Sequence, residues 1–277
     1  LKKWKNFLEL IFKEEVMNIL ERQMIEILTE LKEKYGVFEI KAEFEAEGSR
    51  IDELMRLKDI TAHVDLPLLL KIGGVEAVTD VYSGMALGAR GLVAPMAETK
   101  YALSKFTDLI DNFIPEDNAN DIEFAVNIET ITACKNFDDM LTLDNISNLN
   151  SVTVGRVDLT GSMGLKRSDI NTSKEVETIC KNVFLKSKEK SLKTALGGGI
   201  STESFGIIER LVGDELLDKY ETRKVVFPAD SYKYGDGSLL KAVEFELLWL
   251  KSKKRYYSTI QSEDDKRIEM IAKRLNL

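Results

Sequence analysis

The sequence predicts an α/β fold, a (β/α)8-type barrel with helical extensions before and after it. Three observations support this prediction. From Gly36 onward, short β-prone runs alternate with amphipathic helical runs, which is typical of a parallel sheet. The 277 residues are the usual size of one such barrel. Hydrophobic residues make up 44% and charged residues 31%, as in a globular rather than a disordered chain.

The N-terminal segment, residues 1–35, is predicted to be helical. Trp4, Phe7, Leu8 and Ile11 recur at helical spacing with charged residues between them. This segment carries no residue pattern that indicates chemistry.

Residues 36–228 are predicted to form the barrel, with helices such as 75–87 and 98–113 between strands. Seven runs have the composition of strands: 37–44, 66–72, 91–95, 122–128, 151–157, 192–196 and 224–227. A barrel of this type needs eight strands. Either a weak first strand is overlooked, or the N-terminal helices cover an incomplete barrel.

The C-terminal arm, residues 229–277, begins with the polar stretch 229–238 and continues as two predicted helical runs. It contains Phe245, Leu247, Leu248 and Trp249, which is more apolar surface than one barrel face needs. We therefore expect a homo-oligomer in which the arm docks on a neighbouring subunit. The alternative is that the arm closes its own barrel.

Composition excludes several classes of partner. The net charge of −8, with basic and acidic residues interleaved, argues against nucleic acid. No apolar run is long enough to span a membrane, and the lysine-rich start lacks the apolar core of a signal peptide, so a cytoplasmic location is expected. Cys134 and Cys180 are too few for a disulfide framework and are expected to be reduced, packed thiols.

Two acidic residues follow neighbouring predicted strands. Glu129 follows the fourth strand and Asp158 the fifth, and the carboxyl ends of barrel strands converge on one mouth. Strands lie about 4.8 Å apart, so both carboxylates can reach one cation. Oxygen ligands with open positions suit Mg²⁺ or Mn²⁺, which a 2-oxo acid can chelate. Alternatively, each carboxylate caps the following helix or pairs with a lysine.

Lys71 ends the second strand and is followed by Gly73 and Gly74, which are predicted to open a helix. A cation and glycine amides there can hold a substrate carboxylate or a developing enolate. Alternatively, Lys71 pairs with Glu43 or Glu45. The three consecutive glycines at 197–199 predict a tight loop whose backbone lies close to the substrate.

The only histidine, His63, precedes the second strand on the side opposite the expected mouth. No nucleophilic triad can therefore be built on it.

Three segments together resemble the HpcH/HpaI aldolase and citrate lyase beta family. They are KIGGVEAVTDVYSGMALGARGLVAPMAETKYALSKF at 71–106, VNIETITA at 126–133 and GRVDLTGSMG at 155–164. The likeness covers roughly residues 38–228. Its most specific part is Glu129 in the IET run, followed about thirty residues later by Asp158 and Leu159 in the glycine-containing loop.

This resemblance implies a phosphoenolpyruvate/pyruvate-type barrel in which Glu129 and Asp158 bind a divalent metal that grips pyruvate or its enolate. It also implies exchange of a C-terminal helix between subunits. Two features depart from the family. Lys71 stands where many members have an arginine, and the stretch KAEFEAEGSR at 41–50 offers no histidine as acid or base.

The resulting hypothesis is a metal-dependent carbon–carbon lyase, an aldolase acting next to a 2-oxo acid. Lys71 neutralises the carboxylate or enolate oxygen, and Glu45 or a metal-bound water moves the proton. Backbone amides of Gly73, Gly74, Leu159 and Gly161 orient the substrate. The second product is an aldehyde or a thioester. The alternatives are a citrate- or malyl-CoA-type lyase, or a non-catalytic barrel that serves as a binding or assembly subunit.

Overall fold

The computed structural model describes residues 17–275, and its centre is a closed barrel of eight strands joined in sequence order. The predicted fold class is confirmed. The strands are β1 Glu39–Glu43, β2 Leu68–Lys71, β3 Gly91–Ala94, β4 Glu123–Ile128, β5 Ser151–Gly155, β6 Lys193–Gly197, β7 Lys219–Glu221 and β8 Val225–Pro228.

Helices surround this barrel and precede it. They are α1 Ile19–Tyr35, α2 Ile51–Ala62, α3 Val78–Ala86, α4 Lys100–Phe113, α5 Glu116–Ala119, α6 Ile131–Met140, α7 Arg156–Ser162, α8 Lys174–Glu189, α9 Phe205–Gly213 and α10 Asp236–Arg274. Short 3-10 helices include Thr202–Ser204 and Ala229–Tyr234.

Helix α1 confirms the second half of the predicted N-terminal helix. Asn18 and Glu21 form a capping box at its start, and Gly36, with φ of 73°, ends it. The rest of that prediction, with Trp4, Phe7, Leu8 and Ile11, lies outside the described residues.

The strand missing from the sequence-based prediction is β7, and not a weak first strand. All seven predicted runs overlap observed strands, whereas Lys219–Glu221 was overlooked. This strand has only three residues, and both of its ends are charged. Such a segment lacks the β-branched or aromatic run that marks a strand in a sequence.

Strand β8 corrects the expectation of an all-parallel barrel. It runs antiparallel to both of its neighbours, β7 and β1, whereas the other pairs are parallel. Only residues 222–224 separate β7 from β8. A parallel connection needs a crossover of roughly a dozen or more residues, so this spacing permits only a hairpin. Thr222 closes the turn with a backbone hydrogen bond to Val225 O of 2.9 Å.

The main hydrophobic core lies between the outer faces of the strands and the surrounding helices. The barrel interior is different. Leu69, Val93, Ala125 and Val226 form a separate small apolar cluster inside it. Charged side chains occupy the interior on both sides of this cluster, and they form two groups, which we call the base cluster and the mouth cluster.

The base cluster consists of Glu39, Glu123, Ser151 and Lys219. Lys219 Nζ lies 2.6 Å from Glu123 Oε1 and 3.4 Å from Glu39 Oε2. Ser151 Oγ donates to Glu123 Oε1 at 2.7 Å. Because β4 and β7 are not neighbours, the Lys219–Glu123 pair crosses the barrel interior and closes its base.

Helix α10 is one continuous helix of 39 residues, which corrects the predicted pair of helical runs. Its first half packs on its own chain. Leu239, Ala242, Phe245 and Trp249 are buried, and Lys241 pairs with Glu30 of α1 at 3.4 Å. Among residues 17–275, no helix is both long and apolar enough to cross a membrane.

Candidate active site

Lys71 lies at the centre of the barrel mouth, at the end of β2. Its Nζ atom lies 2.8 Å from Glu45 Oε2 and 3.5 Å from Glu129 Oε1. Burial alone would lower the pKa of Lys71, but Glu129 and Glu45 outweigh it and raise the pKa. Lys71 is therefore a buried cation. Its predicted alternative partner Glu45 and the predicted metal ligand Glu129 both contact it.

Glu129 is a buried carboxylate held on all sides, only 2% exposed. Met96 N–H donates to Oε1 at 3.1 Å, and the Asn127 side-chain amide donates to Oε2 at 3.0 Å. Burial raises the pKa of Glu129, Lys71 opposes that rise, and the negative charge of Asp158 adds to it. Cationic ligands would therefore stabilise the ionised form of Glu129.

Two backbone features position this carboxylate. A Cβ atom at Gly155 would lie 2.5 Å from Glu129 Oε2 and 2.9 Å from Glu129 Cβ, so only glycine fits beside it. Met96 has φ of 50°, a left-handed conformation that is uncommon for a residue with a side chain. Strain of this kind clusters at functional sites.

Lys41, Glu43 and Glu221 complete the mouth cluster with Lys71, Glu45, Asn127 and Glu129. Lys41 Nζ lies 2.6 Å from Glu221 Oε1 and 3.3 Å from Glu43 Oε1. Burial opposes ionisation of Lys41, but Glu221 and Glu43 raise its pKa. Sequence reasoning missed Lys41 and Glu221. The alternation of charged and apolar residues in β1, EIKAE, was a usable signal, because its charged side faces the barrel interior.

Asp158 lies in the first turn of α7, because β5 ends at Gly155 and not at the predicted residue 157. Its side chain is exposed. It lines a cleft of about 450 Å³ together with Met96, Thr130 and Gly161. Met96 lies between the mouth cluster and this cleft, because its N–H donates to Glu129 while Met96 also lines the cleft.

Asn127 Oδ1 is buried and has no hydrogen-bond partner among the described residues. A buried acceptor without a donor is costly unless a ligand or water satisfies it. Glu129, Asp158 and this amide oxygen are hard oxygen donors, as Mg²⁺ and Mn²⁺ prefer. No group of three or more His, Cys, Asp or Glu residues within 17–275 could hold a metal. Two carboxylates and one amide oxygen are thus the hard donors that the described residues place near the mouth.

The predicted substrate-binding amides are placed differently from one another. Gly73 N–H already donates to Asp80 Oδ2 at 2.7 Å, and α3 begins only at Val78, so the glycines do not open the helix directly. Gly74 lies beside Gly73 in the same loop. Leu159 is buried in α7, whereas Gly161 lines the cleft beside Asp158.

The three glycines at 197–199 approach the backbone and not an open cavity. Gly198 has φ of 76°, and a Cβ there would lie 2.5 Å from the Arg156 nitrogen. Arg156 is fully buried and donates to Gly197 O, Asn171 Oδ1 and Ser204 Oγ. Burial lowers its pKa to about 10. Arg156, which sequence reasoning did not select, thus joins the loops after β5 and β6.

His63 ends α2, far from the mouth, and its Nδ1 lies 2.8 Å from Asp59 O. Its expected place outside the site is confirmed.

Both cysteines are free, and burial raises the pKa of Cys134 to about 11. Burial thus disfavours the thiolate form of Cys134.

Comparison with known proteins gives structural matches only, since neither a protein-family model nor a curated protein sequence matches the chain. An HpcH/HpaI aldolase from Desulfitobacterium hafniense DCB-2 aligns with a TM-score of 0.56 and 14% identity, over 70% of this chain and 79% of that one. An HpcH/HpaI aldolase/citrate lyase family protein from Burkholderia cenocepacia J2315 aligns with a TM-score of 0.57 and 17% identity, over 83% and 90%.

The citrate synthase SbnG aligns with a TM-score of 0.59 and 14% identity, over 82% of this chain and 90% of that one. At sequence identities this low, the structural similarity establishes a shared fold and nothing finer. The resemblance noted in the sequence is therefore confirmed at the level of the barrel.

Proposed function

We propose that this protein is a metal-dependent carbon–carbon lyase that forms or cleaves a bond next to a 2-oxo acid such as pyruvate. One observation supports this most directly. At the barrel mouth, a buried carboxylate, Glu129, lies 3.5 Å from the Lys71 cation. The nearby amide oxygen of Asn127 has no partner among the described residues. Structural likeness to aldolases and a citrate synthase agrees with the proposal.

In this proposal Glu129 and Asp158 hold Mg²⁺ or Mn²⁺ at the edge of the cleft. When bound, such a cation supplies Lewis acidity toward the keto oxygen of the substrate. Asn127 orients Glu129 through its amide N–H, and its oxygen, which has no partner among residues 17–275, accepts a hydrogen bond from the ligand or from water.

Lys71 binds the substrate carboxylate or the enolate oxygen that develops during the reaction. Its raised pKa keeps it protonated, so it acts as a fixed positive charge and not as a base. Glu45 is its partner at 2.8 Å, and Glu45 is the more exposed of its two carboxylate partners. An incoming carboxylate therefore competes first with Glu45, which frees Glu45 to accept a proton from the substrate.

A non-catalytic barrel is the second candidate, and one observation favours it. Lys71 already pairs with two carboxylates, so its charge is offset before any substrate arrives. In that case the mouth cluster has a structural role, as the base cluster does. A third candidate, a lyase acting on coenzyme A thioesters, has the same enolate step and differs in its second substrate.

Exchange of the methyl protons of pyruvate in deuterated water tests the proposal, because it needs only the 2-oxo acid. With Mg²⁺ and the full chain, the proton NMR signal of the methyl group should decrease faster than with Mg²⁺ alone. Lys71→Met should slow this exchange about a hundredfold, because a cation beside the developing charge is lost. Glu76→Gln, an exposed carboxylate paired with Lys105, is the matched control.

Exchange no faster than with Mg²⁺ alone would contradict the proposal for pyruvate and favour the non-catalytic barrel. Unchanged exchange in the Lys71 variant would exclude Lys71 from the reaction. Competition by a coenzyme A thioester would identify the second substrate class.

We also propose that the protein forms homo-oligomers through the outward face of α10. Leu240, Val243, Leu247 and Leu250 are each about half exposed or more, and they recur at positions of one helical face. Such a face is typical of a subunit contact. Sedimentation of the full chain as a monomer at micromolar concentration would exclude this assembly.

A further inference from the structure

Arg156 is among the largest side chains that are completely buried, and the proposed reaction does not use it. It is the first residue of α7, whose first turn also contains Asp158. A buried charge is costly and is usually paired with an opposite charge. Here all four acceptors of the guanidinium among the described residues are neutral: two carbonyls, an amide oxygen and a hydroxyl. Such a set points to a role in connecting segments, for which five N–H donors are suited.

The loop after β6, residues 197–204, is held against the start of α7. Arg156 Nε donates to Gly197 O at 3.3 Å, and Nη2 donates to Ser204 Oγ at 3.1 Å. Between these two contacts, Gly198 has φ of 76°, and its backbone packs directly on the backbone nitrogen of Arg156. Only glycine permits this approach, so the side chain and the backbone of Arg156 together fix the loop.

The loop after α7, residues 163–173, is held by the same head group. Arg156 Nη1 donates to Asn171 Oδ1 at 2.9 Å and to Ile170 O at 3.5 Å. Ser204 Oγ also donates to Asn171 Oδ1 at 2.9 Å, so the two loops are joined to each other as well as to Arg156. One buried cation therefore connects three segments, which are the start of α7 and both loops.

Two of these segments carry the ionisable side chains of the cleft beside the mouth. Asp158 lies two residues after Arg156, and Arg167 lies in the loop after α7. Both side chains line the cleft and both are exposed. Their separation therefore depends on how the start of α7 and the following loop are held, and Arg156 is the side chain that joins the two.

We propose that Arg156 is a positioning residue that sets the separation between Asp158 and the wall of the cleft that carries Arg167. This inference rests on the proposed function, in which Asp158 is a metal ligand. Arg156 contacts neither metal nor substrate in this role, and it acts through the backbone of α7 and of the loop after it. Neutral acceptors suit the role, because a bidentate carboxylate would occupy two of the N–H donors in a single contact.

A role of Arg156 in stability alone is the competing explanation, and a conservative substitution separates the two. Arg156→Lys keeps the positive charge and most of the aliphatic stem. Its single ammonium group cannot span acceptors on both loops as the planar guanidinium does. If bridging is what matters, the lysine variant should therefore behave like Arg156→Met, which removes the charge altogether.

Calorimetric titration with Mg²⁺ and with Mn²⁺, alongside urea denaturation, tests the proposal. We expect Arg156→Lys and Arg156→Met to lower the metal affinity about tenfold or more, the usual effect of losing a residue that orients a metal ligand. Ser204→Ala removes one acceptor and should lower the affinity by a smaller factor. Glu123→Gln, a buried substitution at the base of the barrel, is the matched control and should leave metal affinity unchanged although it destabilises the fold.

Hydrogen exchange without metal gives a second measurement that does not depend on the proposed function. In both Arg156 variants and in Ser204→Ala, exchange should increase more across residues 157–173 than across residues 51–62 of α2. In Glu123→Gln the two regions should change alike.

Reduced stability with parent-like metal affinity in the Arg156 variants would overturn the proposal, as would parent-like affinity in Arg156→Lys alone. If Arg156→Met fails to fold, Arg156→Lys and Ser204→Ala decide. If the parent protein binds neither cation, the proposed metal-dependent function fails, and hydrogen exchange still decides about Arg156. Exchange across 157–173 that rises no more than across 51–62 would then exclude Arg156 as a positioning residue.

Discussion

The two ends of the barrel interior contain similar charged residues, but they differ in how completely their polar atoms are hydrogen-bonded. At the base, Lys219 bridges Glu39 and Glu123, Ser151 donates to Glu123, and no fully buried side-chain polar atom of these four residues lacks a partner among residues 17–275. At the mouth, Lys41 and Lys71 are likewise paired with glutamates. There, however, Asn127 Oδ1 has no hydrogen-bond partner in the part of the chain that the structure describes.

The pKa values of one carboxylate at each end, Glu123 and Glu129, differ in the same sense. At the base, burial would raise the pKa of Glu123, but Lys219 outweighs it and lowers the pKa, whereas burial raises the pKa of Glu129 at the mouth despite Lys71. A charge cluster whose members satisfy one another stabilises the fold. A cluster that leaves an acceptor free and a carboxylate poorly compensated is suited to binding a further cation or substrate.

The largest expected contrast comes from the same substitution at each end. Glu129→Gln should reduce Mg²⁺-dependent pyruvate exchange by about a hundredfold or more while leaving the unfolding free energy nearly unchanged. Glu123→Gln should lower the unfolding free energy by on the order of 3 kcal/mol, because Lys219 loses a buried partner, and should leave exchange in the folded protein intact. Urea denaturation and proton NMR measure the two effects.

If Glu129→Gln destabilises the protein as much as Glu123→Gln does, the mouth cluster is structural too. The difference drawn between the two ends would then be wrong.

A smaller effect is expected from crowding Glu129 without changing its charge. In Gly155→Ala, the new Cβ displaces the Glu129 carboxylate, so Mg²⁺ affinity measured by calorimetry should fall about tenfold. Gly213→Ala, at the end of α9 and outside the site, is the matched control, because a Cβ placed there meets no heavy atom of the described residues within 4 Å beyond its own helical turn. Equal losses in both variants would show that general disturbance of the fold, and not the position of Glu129, controls affinity.

Low pH should destabilise the base cluster of the barrel through protonation of Glu123. Its folded pKa lies below the ordinary value of 4.5, so its stabilising contribution is fully present above that pH and is lost as pH falls through the folded pKa. Glu39, whose pKa burial raises, contributes with the opposite sign. The difference in unfolding free energy between the parent and Glu123→Gln isolates Glu123 and should shrink below pH 4.5. A difference independent of pH would contradict the assigned ion pair.

The smallest effect is expected at Met96, whose left-handed φ of 50° places its N–H against Glu129. Met96→Gly should raise the unfolding free energy by up to about 1 kcal/mol, because the strain is relieved while the hydrogen bond stays. Thermal denaturation measures it. A clear loss of stability would show that the Met96 side chain contributes more by packing than its conformation costs.

Sequence reasoning predicted the barrel and the position of Glu129 at its mouth, because both depend on strand order and local spacing. The pairing of Lys71 with Glu43 or Glu45 was only its alternative to a substrate-binding role, and the structure pairs Lys71 with Glu45. Sequence reasoning missed Lys41 and Glu221, because charged residues that alternate with apolar ones usually face solvent. Here β1 and β7 turn their charged sides inward, and only the partner across the barrel makes that burial possible.

Arg156 escaped prediction for a related reason. Its acceptors are neutral groups on loops distant in sequence, Asn171 and Ser204 among them. No local pattern marks such a residue. Strand β7 was too short to recognise, and its absence from the prediction also concealed the hairpin.

The hairpin of β7 and β8 determines on which side of the barrel the last helix ends. In an all-parallel barrel, the last strand finishes at the mouth and the helix after it returns toward the base. Here β8 descends, so α10 starts near the base, beside Tyr35, and rises to Lys253 at the start of α2. Residues after 257 continue in that direction, beyond the rim. One reversed strand thus places an exposed helical arm on the same side as the entrance for substrate.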